Sequence, residues 1–262
     1  MIFFRAFKYL EYILLSKHRK GHGIHSPFIY DLVSRVFRNK TDRNIVLNIE
    51  TIRKRMRTDT RTLNINDLGA GSERMKKNKR TVSEIARYSP VTARYGALLS
   101  GMAAEFGQSG ITELGTSLGI STMYLALSCP GTVVETIEGC NDTANVAKEN
   151  FATAGVKNIR LHTGSFDELL PVLINEKLKP GLVFIDGDHR KEPVLRYFSK
   201  IAENADTNTV IIIDDIYYSS GMEEAWKEIK KCSSISVTVD VFRMGIVFFR
   251  KGIARTDYVV RY

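Results

Sequence analysis

Five carboxylates stand where apolar runs end. Glu113 lies in GITELG (110–115), Glu138 closes TVVETIE (132–138), Asp186 follows LVFI in LVFIDGD (182–188), and Asp214 and Asp215 close TVIIIDD (209–215). Strands of an α/β sheet end at the edge where ligands bind, so acids there need a chemical reason. The fourth and fifth runs would be neighbouring strands, which lets Asp186, Asp214 and Asp215 converge. Three carboxylates with open positions suit Mg²⁺ or another hard divalent cation. Such an ion would bind a hydroxyl, lower its pKa and orient it. His189, three residues past Asp186, is placed to take the hydroxyl proton, since an imidazole titrates at about 6.5. The same residues also admit plainer roles: Asp186 meeting a cofactor amine, Asp214 capping a helix, His189 opening one.

Two glycine segments resemble nucleotide-binding loops, DLGAGS (67–72) and ELGTSLGIS (113–121). The first follows a poor strand and precedes ERMKKNKRT, too polar to open a packed helix, and is read as a turn or lid. The second sits where strand becomes helix. Gly115 and Gly119 let backbone approach a ligand. Thr116, Ser117 and Ser121 offer hydroxyls and amides near a helix N-terminus, which can hold a carboxylate. Glu138 ends the next strand, where it can accept both hydroxyls of a ribose. The spelling is GxxxG rather than GxGxxG, which leaves a dinucleotide pyrophosphate cradle incomplete, and no GxxxxGK[ST] loop is present for ATP or GTP hydrolysis.

The elements that must carry these residues alternate in period. Strands are expected at 110–115, 132–138, 158–164, 182–188 and 209–215, with helices near 120–128, 142–154, 166–174, 191–204 and 220–231. ISVTVDV (235–241) and GIVFFRK (245–251) should pair as an antiparallel hairpin. This predicts an α/β fold: a doubly wound, seven-stranded, mostly parallel, Rossmann-like sheet with a C-terminal hairpin. Residues 96–262 form the ligand-binding domain. Residues 1–95 form a helical, basic appendage acting as a lid or dimer surface. Helices are expected there near 3–16 and 28–38, with 39–62 only weakly periodic. The 3–16 helix carries Phe3, Phe7, Leu10 and Leu14 on one face, expected to pack on the domain or on a second subunit.

The chain has 262 residues, a net charge of +9, and 44% apolar residues, enough for a sizeable core. The charge is uneven: residues 1–100 hold 21 Lys and Arg against 8 Asp and Glu. That half could meet nucleic acid, anionic lipid or an acidic partner, or be a hydrated surface. No apolar run is long enough to span a bilayer. Cys129, Cys140 and Cys232 form no metal pattern and point to a reducing, cytoplasmic setting.

Taken together, ELGTSLGIST, TIEGC, GSFDELLPVL, FIDGDH and VIIIDD resemble the class I S-adenosylmethionine-dependent methyltransferases, and within them the catechol and caffeoyl-coenzyme A O-methyltransferase-like group. The resemblance covers about residues 95–251. It implies that Glu113, Gly115, Thr116, Ser117 and Ser121 surround the methionine part of S-adenosylmethionine, that Glu138 holds its ribose, and that Gly139, Ser165 and Phe166 flank its adenine. Asp186, Asp214 and Asp215 match the group's metal triad. Two positions depart from the pattern: Asp215 stands where the group has Asn, and His189 where it has a catalytic Lys. A metal-independent enzyme is therefore kept beside the metal-assisted one.

The implied function is methylation of a small-molecule hydroxyl. An RNA methyltransferase using the basic N-terminal part is the competing reading, disfavoured because no RRM, KH, zinc or NPPY-type signature is present. A non-catalytic relative that keeps only the fold is the third. The 3–16 helix also leaves open a peripheral membrane contact.

Overall fold

The computed structural model describes residues 2–16, 24, 26–38, 41–65, 79–88, 91–175 and 180–262. The DLGAGS segment lies outside the described residues.

The chain runs α1 (Ile2–Leu15), α2 (Pro27–Asp31) continued by a π-helical turn (Leu32–Val36), α3 (Arg43–Met56), the strand pair β1 (Thr62–Asn64) and β2 (Lys79–Thr81), α4 (Val82–Tyr88) and α5 (Ala93–Phe106). Strict alternation follows: β3 (Ile111–Leu114), α6 (Ile120–Ser128), β4 (Val134–Glu138), α7 (Asn141–Ala154), β5 (Ile159–Thr163), α8 (Phe166–Asn175), β6 (Leu182–Ile185), α9 (Lys191–Glu203), β7 (Val210–Ile213) and α10 (Ser220–Ile229). The chain closes with β8 (Val237–Asp240), β9 (Gly245–Phe248) and β10 (Thr256–Val259).

The main sheet has the order β10-β8-β9-β7-β6-β3-β4-β5. It is parallel except at β9, which pairs antiparallel with both β7 and β8. The doubly wound sheet and terminal hairpin are as expected, but the sheet has eight strands rather than seven. β10 adds in parallel beside β8, with Thr256 opposite Val237. Its half-buried, mixed-polarity TDYV gives no buried-strand signal. The central strands β3, β6 and β7 are buried along their whole length, as strands covered on both faces must be.

The N-terminal part shares its apolar core with the sheet. Ile29, Ile49, Met56 and Val82 share one apolar core with Leu99, Tyr124, Phe184 and Phe248. In α3, Ile49, Ile52 and Met56 repeat at helical spacing. That period is hard to see in the sequence because Arg53, Lys54, Arg55 and Arg57 crowd it. Arg53 is itself buried, paired with Glu50 at 3.0 Å and donating to the Val91 carbonyl at 2.7 Å. Other arginines of this basic half are also matched: Arg35 meets Glu105 and Arg61 meets Glu149, each at 2.8 Å.

α1 leaves its apolar face uncovered within this chain. Its Phe3, Phe7, Leu10 and Leu14 face does not pack on the domain; Phe3 is 91% and Leu14 81% exposed. The helix docks by its other side. Tyr12 is buried and donates to the Val260 carbonyl at 2.7 Å, Tyr9 meets Phe242 edge-on, and Lys8 pairs with Glu223 at 2.9 Å. Among the described residues no helix is long and apolar enough to cross a membrane.

Candidate active site

β3 and β6 are neighbours, yet β3 leads outward through β4 and β6 leads the other way to β7. At this reversal a crevice opens beyond the carboxyl ends of the strands. A cleft of about 200 Å³ lies there.

The turn after β3 forms its floor. Gly115 has φ of 105°, and a Cβ on it would come 2.2 Å from the Asp186 carbonyl oxygen, so only glycine lets this turn lie against the end of β6. Ser117 is in the left-handed region at φ 49° and donates its amide to Glu138 Oε2 at 2.7 Å. The Cys140 amide donates to Glu138 Oε1 at 3.0 Å. Both oxygens are thus oriented by backbone, and the side chain lines the cleft. Gly139, Ser165 and Phe166 form the next stretch of wall. Phe166 is held edge-on by Tyr197, with centroids 5.5 Å apart.

Gly115, Ser117, Glu138, Gly139, Ser165, Phe166 and Asp186 all line this one cleft. Glu113, Thr116, Gly119 and Ser121, expected beside the same ligand, stand behind the turn and not on the cleft wall. Glu113 is 0% exposed, and its Oε2 accepts from Thr122 at 2.5 Å and Thr136 at 2.7 Å. Burial pushes its carboxyl up, opposed by hydroxyls that include Ser121's. The Thr116 hydroxyl meets that of Thr136 at 2.6 Å, and Gly119 packs on Phe151. Strand alternation turns Glu113 under the turn rather than over it, so these four shape the turn from behind.

The other wall is absent from the sequence reading. Ile65 after β1, Arg80 of β2 and Ile85 of α4 line the cleft from the N-terminal part, with Thr143 of α7. No local motif marks them, because their role comes from docking across a long chain separation.

Beyond Asp186 lies a second group of polar side chains. His189 Nε2 is 3.7 Å from Asp186 Oδ1, and its ring sits 5.6 Å from that of Tyr218. Asp214 is 0% exposed and gripped by Arg243: Nε lies 2.9 Å from Oδ1 and Nη2 lies 2.6 Å from Oδ2. Asp215 is 3.8 Å from Arg243 and 3.6 Å from Arg5 of α1. Burial alone would raise the Asp214 carboxyl, but Arg243 outweighs it and holds the group below its ordinary value. Asp186 is pushed well up, first by burial and then by the Asp214 charge.

The three acids do converge, but as a donor set for a divalent ion they do not fit. Both oxygens of Asp214 are taken by a guanidinium, and Asp215 has two guanidinium neighbours. Among the described residues no group of three or more His, Cys, Asp or Glu side chains is disposed to hold a metal ion. The Asp186, Asp214 and Asp215 set is thus brought together with a guanidinium, Arg243, on Asp214 that the sequence did not mark.

Comparison with known proteins bears on this cleft. Residues 112–216 match the family model of a methyltransferase domain.

That segment is similar to a methyltransferase domain.

The matched segment begins in β3 and ends just after Asp215, so it contains Gly115, Glu138, Asp186 and His189, whereas Arg5, Arg80 and Arg243 lie outside it. A catechol O-methyltransferase of Niastella koreensis is 32% identical over 130 residues, covering 48% of this chain and 58% of that protein. The O-methyltransferase imqG of Aspergillus flavus is 30% identical over 144 residues, covering 53% of this chain and 56% of that protein. The chain thus spans little more than half the length of these curated relatives. Among solved structures, the SAH-bound methyltransferase PaMTH1 of Podospora anserina aligns with a TM-score of 0.59 at 14% identity, covering 87% of this chain and 97% of that one. The O-methyltransferase from Bacillus cereus in complex with SAH gives 0.53 at 24% identity, covering 62% and 83%. These likenesses place the sheet in the Rossmann-like methyltransferase fold.

Proposed function

We propose that this chain binds S-adenosylmethionine in the cleft at the end of β3 and β4 and methylates a hydroxyl of a small molecule held near His189. The observation that carries the proposal is the shared cleft of Gly115 and Glu138, fastened to each other through the Ser117 amide.

The residues present fit that cofactor. Glu138 presents two backbone-oriented carboxylate oxygens, the acceptor geometry a ribose diol requires. Phe166, braced by Tyr197, gives a flat apolar surface for adenine. Gly115 leaves bare backbone where the methionine part passes. When bound, S-adenosylmethionine supplies an electrophilic methyl group on a sulfonium.

The chain's own residues then position and deprotonate. His189, beside Asp186, accepts the proton of the acceptor hydroxyl. Tyr218 and Arg5 border the acceptor side, with Arg5 of α1 over the Tyr218 ring. Residues 1–95 act here as cleft wall, through Ile65, Arg80 and Ile85.

Calorimetry with S-adenosylmethionine and with its demethylated product, with and without Mg²⁺, tests this. Micromolar binding of either is expected. No heat and no displacement of one by the other would end the proposal.

A further inference from the structure

We infer that the acid cluster beside the cleft is completed by two of the chain's own guanidinium groups, Arg243 and Arg5, and takes no divalent metal. The inference rests on the methyltransferase reading above for its purpose, but its geometry stands alone.

Three carboxylates, Asp186, Asp214 and Asp215, gather at the ends of β6 and β7. Carboxylates so close and so desolvated oppose one another's charge, and those that stay ionised require compensation. Arg243 supplies the larger part. It stands in the turn between β8 and β9, and its side chain is only 17% exposed. Its planar fork meets the Asp214 carboxylate side-on through Nε and Nη2, the paired geometry that makes guanidinium–carboxylate contacts strong. Backbone holds the turn in place: the Ile216 amide donates to the Arg243 carbonyl at 3.1 Å, tying the loop after β7 to the hairpin turn. Arg5 supplies the second charge, 3.6 Å from Asp215 and 5.7 Å from the Tyr218 ring centre.

The two groups together bring two positive charges, the charge a single divalent ion would bring. They also occupy the positions such an ion needs. A cation bound by Asp214 would have to displace a buried bidentate partner, and would then sit against a guanidinium that cannot lose its proton. Both arginines come from outside residues 112–216, so the matched segment taken alone has an open acid cluster that the rest of the chain closes. Arg243 is a positioning residue in this arrangement: it fixes Asp214 and, through it, the end of β7 against Asp186.

Mn²⁺ titration followed by electron paramagnetic resonance tests this on the full chain without any acceptor. The wild type should leave the free Mn²⁺ signal undiminished at concentrations that saturate ordinary carboxylate sites, and its thermal midpoint should not move with EDTA or Mg²⁺. Stoichiometric Mn²⁺ binding that Asp214→Asn abolishes would overturn the inference. Arg243→Ala, if folded, should gain Mn²⁺ affinity by roughly tenfold or more, as freed carboxylates accept the ion. A folded variant with no gain would also overturn it, since a merely structural arginine would leave ion binding unchanged. Should that variant not fold, the wild-type titration decides. Binding of S-adenosylmethionine is measured in the same samples. Its absence counts against the methyltransferase reading and leaves the metal result standing.

Discussion

The Ser117 amide lies 2.7 Å from Glu138 Oε2, so the turn after β3 and the end of β4 are fastened together by the same carboxylate that faces the cleft. This bond links the fold to the ligand. It orients an acceptor in advance and holds Ser117 in a left-handed conformation that would otherwise be disfavoured.

Glu138→Ala should therefore weaken S-adenosylmethionine binding by about 1–3 kcal/mol, through lost ribose contacts and a loosened turn. Calorimetric affinities for the wild type and variant check this. An unchanged dissociation constant removes the ribose role.

Gly115→Ala places a methyl group against the Asp186 carbonyl at a φ of 105°. A destabilisation of about 1–3 kcal/mol is expected from backbone strain and the forced separation of β3 from β6. Urea unfolding measures it, and a variant as stable as the wild type would show that the turn can move.

Stability should depend on pH through Asp186 and Asp214, which are shifted in opposite senses. Asp214, held low by Arg243, contributes stability above the ordinary aspartate value of about 3.9, lost as pH falls through its folded value. Asp186, raised by burial and by Asp214, does the reverse: stability declines as pH rises from about 3.9 through its folded value. Asp186→Asn removes the second cost. Its melting temperature should exceed the wild type's by a few degrees at neutral pH, with the gap closing toward about pH 4. Melts across that range decide it; a variant less stable at neutral pH contradicts the sign.

His189→Ala should lower kcat on an identified acceptor by roughly 10²-fold or more, the range of positioned bases, while cofactor affinity holds. Unaltered turnover would rule out the base role.

Arg5→Ala should raise KM for the acceptor several-fold and leave S-adenosylmethionine affinity unchanged, because α1 borders the acceptor side and not the Glu138 wall. Parallel affinity and KM measurements separate the two effects. A loss of cofactor affinity instead would mean that α1 supports the whole cleft.

The sequence alone determined the alternation of β3 to α10, the β8–β9 hairpin and the convergence of Gly115, Glu138, Phe166 and Asp186. Burial on both faces writes these elements as unbroken apolar runs, and glycines and acids mark where such runs stop. It could not determine what compensates Asp214 and Asp215, or which chain segments wall the cleft. Arg243 and Arg5 stand 29 and 210 residues from those acids, and Ile65 and Arg80 reach the cleft by docking across long separations. Arginine in a turn or on a helix reads as solvated charge until packing removes the water. Only the tertiary structure brings it against a buried carboxylate, and that contact turns three acids that spell a metal site into a closed ion-pair cluster.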